Sequence, residues 1–313
     1  MMKPTFDILG LGCVAIDDLL YVDSYPAADT KVQIRRHERQ CGGLTGTALV
    51  AAARQGSNCA YAGSLGEDEL SQFVLDRLAQ EGIDVTHVKR VADARPIHSV
   101  IIIDDKTRTR TVLYDLENVV GAQADWPPED MIRAARVLFV DHFGVEGMIR
   151  AARIAKQAGT PVVADFESDQ GPGFRELLGL VDHLILSQEF AQKLTGESIP
   201  VFAAKKLWRG EEHSVVITSG AEGCWFIGRC PWELGMYWPA YSVPVVDTTG
   251  CGDVFHGAYA AALARGESEI DVCIRFASAA AALKAKSPGG QSGIASLSEV
   301  EAFLKAQPCP YNL

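Results

Sequence analysis

From residue 137 onward the chain alternates short β-branched runs with helical ones: VLFVDH, MIRAARIAKQAG, TPVVADFE, HLILS, EFAQKLTG and SVVITSG follow one another with little between them. Parallel strands need a crossover, and a helix of this length supplies it, so the rhythm predicts βαβ units and a parallel sheet with helices on its faces. The first part of the chain agrees. FDILGLG and CAYAG, at 59 to 63, read as strands, and TGTALVAAARQG between them has the alanine-rich run and closing glycine of a helix. ELSQFVLDRLAQEG, 69 to 82, is apolar at 70, 73, 74, 75 and 78, which predicts a second, amphipathic helix. One segment has another period. IHSVIIIDDKTRTRTVLYD, 97 to 115, alternates and is β-branched on both sides of Asp104-Asp105-Lys106, the pattern of an antiparallel hairpin. The expected architecture is α/β with a small, discontinuous β appendage, residues of about 17 to 40 joined to 97 to 115.

Composition narrows what such a chain can do. Its 313 residues are 48% hydrophobic and 22% charged, enough for one large domain. With 29 Lys and Arg against 40 Asp and Glu, net −11, and no long basic run, nucleic acid is not an expected partner. No segment reaches 18 uninterrupted apolar residues, so no membrane span is expected. Cysteines 13, 41, 59, 224, 230, 251, 273 and 309 form no CxxC pair and no zinc spacing; they read as reduced thiols, and with no export signal in MMKPTFDILGLGCVAIDD the expected compartment is the cytoplasm.

Two stretches carry chemistry. GLGCVA, 10 to 15, has the G-x-G-x-x-A form of a dinucleotide fingerprint, yet AIDDLLYVDSYP continues as extended sequence where that fingerprint needs a helix. An NAD(P)-binding oxidoreductase is therefore a competing reading. No Walker loop occurs. VVDTTGCGDVFHGAYAAAL, 245 to 263, offers a different phosphate site: Gly250, Cys251 and Gly252 precede a helix closed by Gly266, so their amides can converge at the positive end of its dipole. Asp253, in the first turn, reads either as an ordinary N-terminal acid or as a base that accepts a hydroxyl proton beside that anion hole.

DTTGCGD resembles the D-T-x-G-A-G-D signature of the PfkB (ribokinase-like) carbohydrate kinases. A second signature is matched by CGGLTGTALVAAARQGSNCAYAGSLGEDELSQFVLDRLAQEGIDV, with its glycine pair at 42 and 43 and G-x-x-G-x-D at 63 to 68. The resemblance covers nearly the whole chain. It implies a single ribokinase-like three-layer αβα domain over 1–313, with a mostly parallel central sheet and a small β-sheet lid. It implies an ATP-dependent sugar kinase, a phosphotransferase with an alcohol acceptor, using Mg²⁺. Asp253 then becomes the catalytic base and Gly250, Cys251 and Gly252 the anion hole, with cysteine where alanine is usual. ITSGAEGCWF places Thr218, Gly220 and Gly223 by the nucleotide, and FASAAAALKAKSPGGQSGI places Ala282 and Gly290 on its adenine side. Asp247 and Thr249 fall where relatives often hold a monovalent cation, K⁺ among them.

On the sugar side, Asp17 matches a hydroxyl acceptor, Asp29 a second acceptor, and Gly42, Gly43 and Thr47 line the pocket. The family's G-G-N-x-x-N is not complete here, because Leu44 and Thr47 replace the asparagines. An N-x-x-E motif is replaced by Ser187 and Phe190, with Glu189 out of register and given no metal role. That serine, and TRTRTVLYD with Arg110 in the lid or near the sugar, resemble the ketohexokinase branch; the C-terminal portion resembles sulfofructose kinases, although 140 to 147 supplies His142 and no arginine, leaving Arg35, Arg36 or Arg110 for a sulfonate. A ketose is the expected substrate. The lid implies a homodimer through the apolar face of the IIID hairpin. A non-catalytic sugar sensor on the same fold is the third reading.

Overall fold

The computed structural model describes residues 4–107, 109–210, 213–228 and 235–307. An eight-stranded sheet runs in the order Met236–Trp238, Cys224–Ile227, Ser214–Thr218, His183–Ser187, Val162–Asp165, Ala135–Val140, Phe6–Gly10, Cys59–Tyr61. The six strands from Ser214–Thr218 onward are parallel, and the two at the other edge are antiparallel. Successive residues of one strand enter different cores: Ile8, Val137 and Phe139 pack into one, Leu9, Leu138 and Val140 into the other. Period-2 alternation thus becomes two buried faces. Helices Leu44–Arg54, Cys251–Ala264 and Ile270–Lys284 cover the first face, and Val145–Ala158, Phe174–Leu180, Gln188–Thr195 and Pro200–Leu207 the second, giving three layers.

Small residues let the first-face helices approach closely. A Cβ built on Gly257 would lie 2.1 Å from the Ala48 carbonyl oxygen, so the Cys251–Ala264 helix is seated against Leu44–Arg54 backbone to backbone. Alanines 258, 260, 261 and 262 of the same helix are buried too, so small side chains surround most of it.

A second sheet has the order Arg36–Gly42, Ala15–Val22, Ile97–Asp104, Thr109–Asp115. Its register sets Asp17 opposite both Gln40 and Ser99. Within the IIID hairpin, Ile101 is buried with Leu19 and Tyr21, and Ile103 packs against them. The hairpin's exposed apolar residues are on its other strand, Val112, Leu113 and Tyr114, with Leu116 just beyond it and Tyr25, Val32 and Ile34 exposed in the 23–35 connection.

The GLGCVA glycines serve packing. The chain leaves Gly10 for the strand Ala15–Val22, with no helix between. A Cβ on Gly12 would stand 1.8 Å from Asp141 Oδ2, where a buried carboxylate occupies the space a pyrophosphate would need. The oxidoreductase reading has no structural support. No helix among the described residues is long and apolar enough to cross a membrane. Cys13, Cys41, Cys59, Cys224, Cys251 and Cys273 are free thiols, and Cys230 and Cys309 lie outside the described residues.

Candidate active site

The turn at 248–253 is built on Gly250. Its φ of 76° and ψ of 0° lie in the left-handed region, and a Cβ there would meet the Gly290 carbonyl at 2.7 Å, so both conformation and space select glycine. Helix Cys251–Ala264 starts from it, with Val254 N donating to Gly250 O at 2.9 Å. Cys251 N donates to Thr248 O at 3.2 Å, whereas the amides of Gly250, Gly252 and Asp253 have no acceptor among the described residues. The free donors therefore differ in one member from the Gly250-Cys251-Gly252 set expected from sequence, Asp253 standing in for Cys251, whose amide closes the turn. Gly252 is exposed, with nothing within 4 Å of a Cβ built on it. Free amides at a helix N-terminus, facing open space, suit an anion.

Asp253 carries its carboxyl into an acidic neighbourhood. Burial first, then the charges of Asp165, Glu167, Asp17 and Asp141, hold it well above the ordinary carboxylate range. Asp141 and Asp165 stand at the carboxyl ends of adjacent parallel strands, the edge where open α/β sheets place their ligand sites. His256 fastens the helix's first turn to the sheet: Nδ1 lies 2.8 Å from Gly252 O, Nε2 3.0 Å from Ile185 O, and Nδ1 3.3 Å from Asp165 Oδ2.

Asp141 organises the opposite wall. Fully buried, it accepts from Cys13 N at 2.7 Å, Thr45 Oγ1 at 2.9 Å and Phe143 N at 2.8 Å, joining the first loop, the first helix and its own strand end. Asp141→Ala strands three donors, and at about 1–3 kcal/mol for each unsatisfied buried group the variant is expected to lose roughly 3 kcal/mol or more; urea unfolding measures it.

The expected residues divide between two sides. Asp17, its carboxyl raised by burial against a Ser99 hydrogen bond, contributes to the field at Asp253, and a Cβ on Gly42 would sit 2.8 Å from Asp17 Oδ2. Gly43, at φ 87°, caps the Leu44–Arg54 helix and would clash with Val14 backbone at 2.6 Å if it bore a side chain. Thr47 is interior, 1% exposed, its hydroxyl accepting from Gln291 Nε2 at 3.2 Å; it ties helix to loop and presents no surface to a sugar. Asp29 is exposed at φ 61° in the 23–35 connection, as a turn residue would be.

On the other side, Thr218 ends a parallel strand and Gly220 and Gly223 form the following turn, where a Cβ on Gly223 would hit Trp238 O at 2.1 Å. Ala282 is 9% exposed within its helix, and Gly290 packs beside Gly250. Asp247 Oδ1 accepts from Thr249 N at 2.9 Å, Thr249 Oγ1 at 2.7 Å and Arg110 Nη1 at 3.0 Å, and Oδ2 accepts from Gly289 N at 2.8 Å. Arg110, on the second sheet, thus joins that sheet to the turn through Asp247. Ser187 caps helix Gln188–Thr195 through Phe190 N, a structural use of the departed N-x-x-E motif.

Sequence reading passed over Asp141, Asp165, His256 and Lys284. The first two had a signal, an aspartate ending each of two βαβ strands; the others are brought in only by long-range packing.

The pfkB family carbohydrate kinase model matches residues 7–297. The ribokinase of Haemophilus influenzae is 29% identical over 97% of this chain and 99% of its own. Ribokinase from Thermotoga maritima superposes with a TM-score of 0.80 at 25% identity, covering 96% of this chain and 99% of that one. Arabidopsis thaliana ribokinase, solved with ribose and ATP, has a TM-score of 0.81 at 23% identity, covering 97% and 99%, a likeness of fold. These relatives are ribokinases, so the ketohexokinase and sulfofructose kinase branch expected from the serine and lid motifs is not supported. With a family match spanning nearly the whole chain and a ribokinase-like α/β fold beneath it, the protein belongs to the pfkB family of carbohydrate kinases and is a sugar phosphotransferase.

Proposed function

We propose that the protein is an ATP-dependent kinase of ribose or a closely related sugar, with Asp253 as general base. The observation that carries the reading is the Asp253 carboxylate standing beside the free amides of Gly250, Gly252 and Asp253 at a helix N-terminus. The carboxylate takes the proton of a primary sugar hydroxyl. The oxygen then bonds to the γ-phosphorus, the bond from that phosphorus to the β–γ bridging oxygen breaks, and ADP leaves with the electron pair. The amides stabilise charge on the transferring phosphoryl group. Mg²⁺ carried on the nucleotide phosphates would neutralise them further; no cluster of three described His, Cys, Asp or Glu side chains could cage a metal, which suits an ion that keeps water and phosphate ligands, and no protein ligand is assigned to it.

The choice of ribose rests on the ribokinase relatives and replaces the ketose expectation. A sulfonate finds little to pair with, since Arg35 is held by Asp23, Arg36 by Glu38 and Arg110 by Asp247. ADP release measured over ribose, deoxyribose, fructose, tagatose and sulfofructose tests the reading: turnover is expected to be greatest with ribose, and none with any sugar would contradict it. Asp17, facing the Gly42 edge, is proposed to hold a sugar hydroxyl. Asp17→Ala should raise the sugar KM by roughly 10- to 100-fold, the worth of a hydrogen bond to a charged group, with the ATP KM unchanged. The second sheet is proposed to close over the sugar as a lid and to pair with a second copy through Val112, Leu113, Tyr114 and Leu116, which size measurement at varied concentration would detect.

A further inference from the structure

Lys284 is a fully buried lysine in a hydrophilic place. It ends the Ile270–Lys284 helix with no exposed surface, and its Nζ donates to Asp247 O at 3.1 Å and Ser287 O at 3.4 Å. Those two carbonyls belong to the two segments that frame the Gly250 turn. Val246 N and Asp247 N also donate to Ala285 O, at 2.8 and 3.2 Å, so the helix end, the Asp247 segment and the 287–290 loop form one knot. Burial lowers the pKa of this lysine, and the Arg110 charge adds to that, while Cys251, Asp247 and Asp253 lie close enough to favour the charged ammonium.

A monovalent cation, which the family resemblance places at Asp247 and Thr249, needs oxygens with free lone pairs and a net negative hollow. Here the donors are already in place. Asp247 Oδ1 receives two Thr249 donors and the Arg110 guanidinium, Oδ2 receives the Gly289 amide, and the main-chain oxygens of Asp247 and Ser287 receive Lys284. Two fixed positive charges stand where the ion would bring one, and a third would be repelled.

We propose that the Lys284 ammonium, assisted by Arg110, replaces the monovalent cation and holds the 247–253 turn in the shape that converges its amides, making this enzyme independent of K⁺. The proposal concerns the turn and not the identity of the sugar. Adding about 100 mM KCl to protein in tetramethylammonium buffer should leave sugar-dependent ADP release within about twofold and the unfolding temperature within about 1 °C, since a ligand with no site adds no stability. Activation by K⁺ of more than about fivefold, or a K⁺-dependent rise in unfolding temperature of several degrees, overturns it. The thermal arm needs no sugar and stands whatever the substrate. Lys284→Ala, which opens a hollow of ammonium shape, should lose about 10²-fold in kcat in the same buffer and recover about tenfold or more with ethylammonium or K⁺ but not with tetramethylammonium. A folded Lys284→Ala variant that keeps full K⁺-free activity, or that no small cation restores, also overturns it; should the variant not fold, the two wild-type arms decide alone.

Discussion

Asp253→Asn is expected to lower kcat by about 10²–10⁴-fold, the usual worth of a positioned general base, while leaving ribose and ATP binding nearly intact because the amide keeps the carboxylate's shape. The same substitution should make the protein more stable. Asp253 is held against burial and against the charges of Asp165, Glu167, Asp17 and Asp141, so removing one charge relieves the others. A gain of about 1 kcal/mol, or about 2–4 °C in unfolding temperature, is the expected size. The sign follows from the direction of the pKa shift. A carboxyl raised in the folded state binds a proton there more tightly than in the unfolded chain, whose value is about 4. Its contribution to stability is therefore complete below that pH and is lost as pH rises through the raised folded value. The stabilising effect of Asp253→Asn should accordingly grow from pH 5 to pH 8, as thermal unfolding at the two pH values would record. A variant that loses activity and stability together would place Asp253 in the fold instead of the chemistry.

Gly257→Ala tests how that carboxyl is positioned. The new methyl would lie 2.1 Å from the Ala48 carbonyl oxygen, and neither partner is a side chain that can rotate away. The helices must separate. Overpacking of this kind costs typically about 1–3 kcal/mol, so an unfolding temperature lower by about 2–10 °C is expected. The displaced helix carries Asp253, one turn before Gly257, and the free amides at its N-terminal end, and a shift of about 1 Å at a reacting group can cost about 10²-fold in rate. Activity measured at 20 °C, well below unfolding, should fall by about that factor even though Gly257 faces the Ala48 backbone and is no part of the proposed site. Unchanged kcat with lowered stability would mean that His256, which bonds Gly252 O and Ile185 O, and the Gly290 contact keep the start of the helix and the 248–253 turn in place while the rest of the helix moves.

What could be read from the sequence was what local periodicity encodes. The βαβ rhythm from 137 gave parallel strands where they occur, and the hairpin at 97–115 was legible because alternation and β-branching agree on both sides of its turn. The antiparallel edge, Cys224–Ile227 and Met236–Trp238, went unread: four and three residues show little period, and unlike the equally short Val162–Asp165 these strands have no helix on each side to mark them as a step of a βαβ unit. The site was legible as a motif but not as an arrangement. DTTGCGD pointed to the Gly250 turn, yet which amides remain free depends on a single bond from Cys251 to Thr248. Thr47 was expected on the pocket wall and is interior because Gln291, 244 positions away, reaches its hydroxyl. Lys284 was passed over, because only the fold brings the Asp247 and Ser287 carbonyls over it. Contacts of such sequence separation leave no periodic trace in one chain.

The most direct test of Asp253 as the base is the pH dependence of single-turnover phosphoryl transfer to ribose at saturating ATP. In the wild type the rate should fall tenfold per pH unit on the acid side, beginning above the ordinary carboxylate value of about 4 because Asp253 must first lose a tightly held proton. In Asp253→Asn that limb should vanish and the low residual rate should be flat. A wild-type rate independent of pH between 5 and 8, or the same acid limb persisting in Asp253→Asn, would contradict the account.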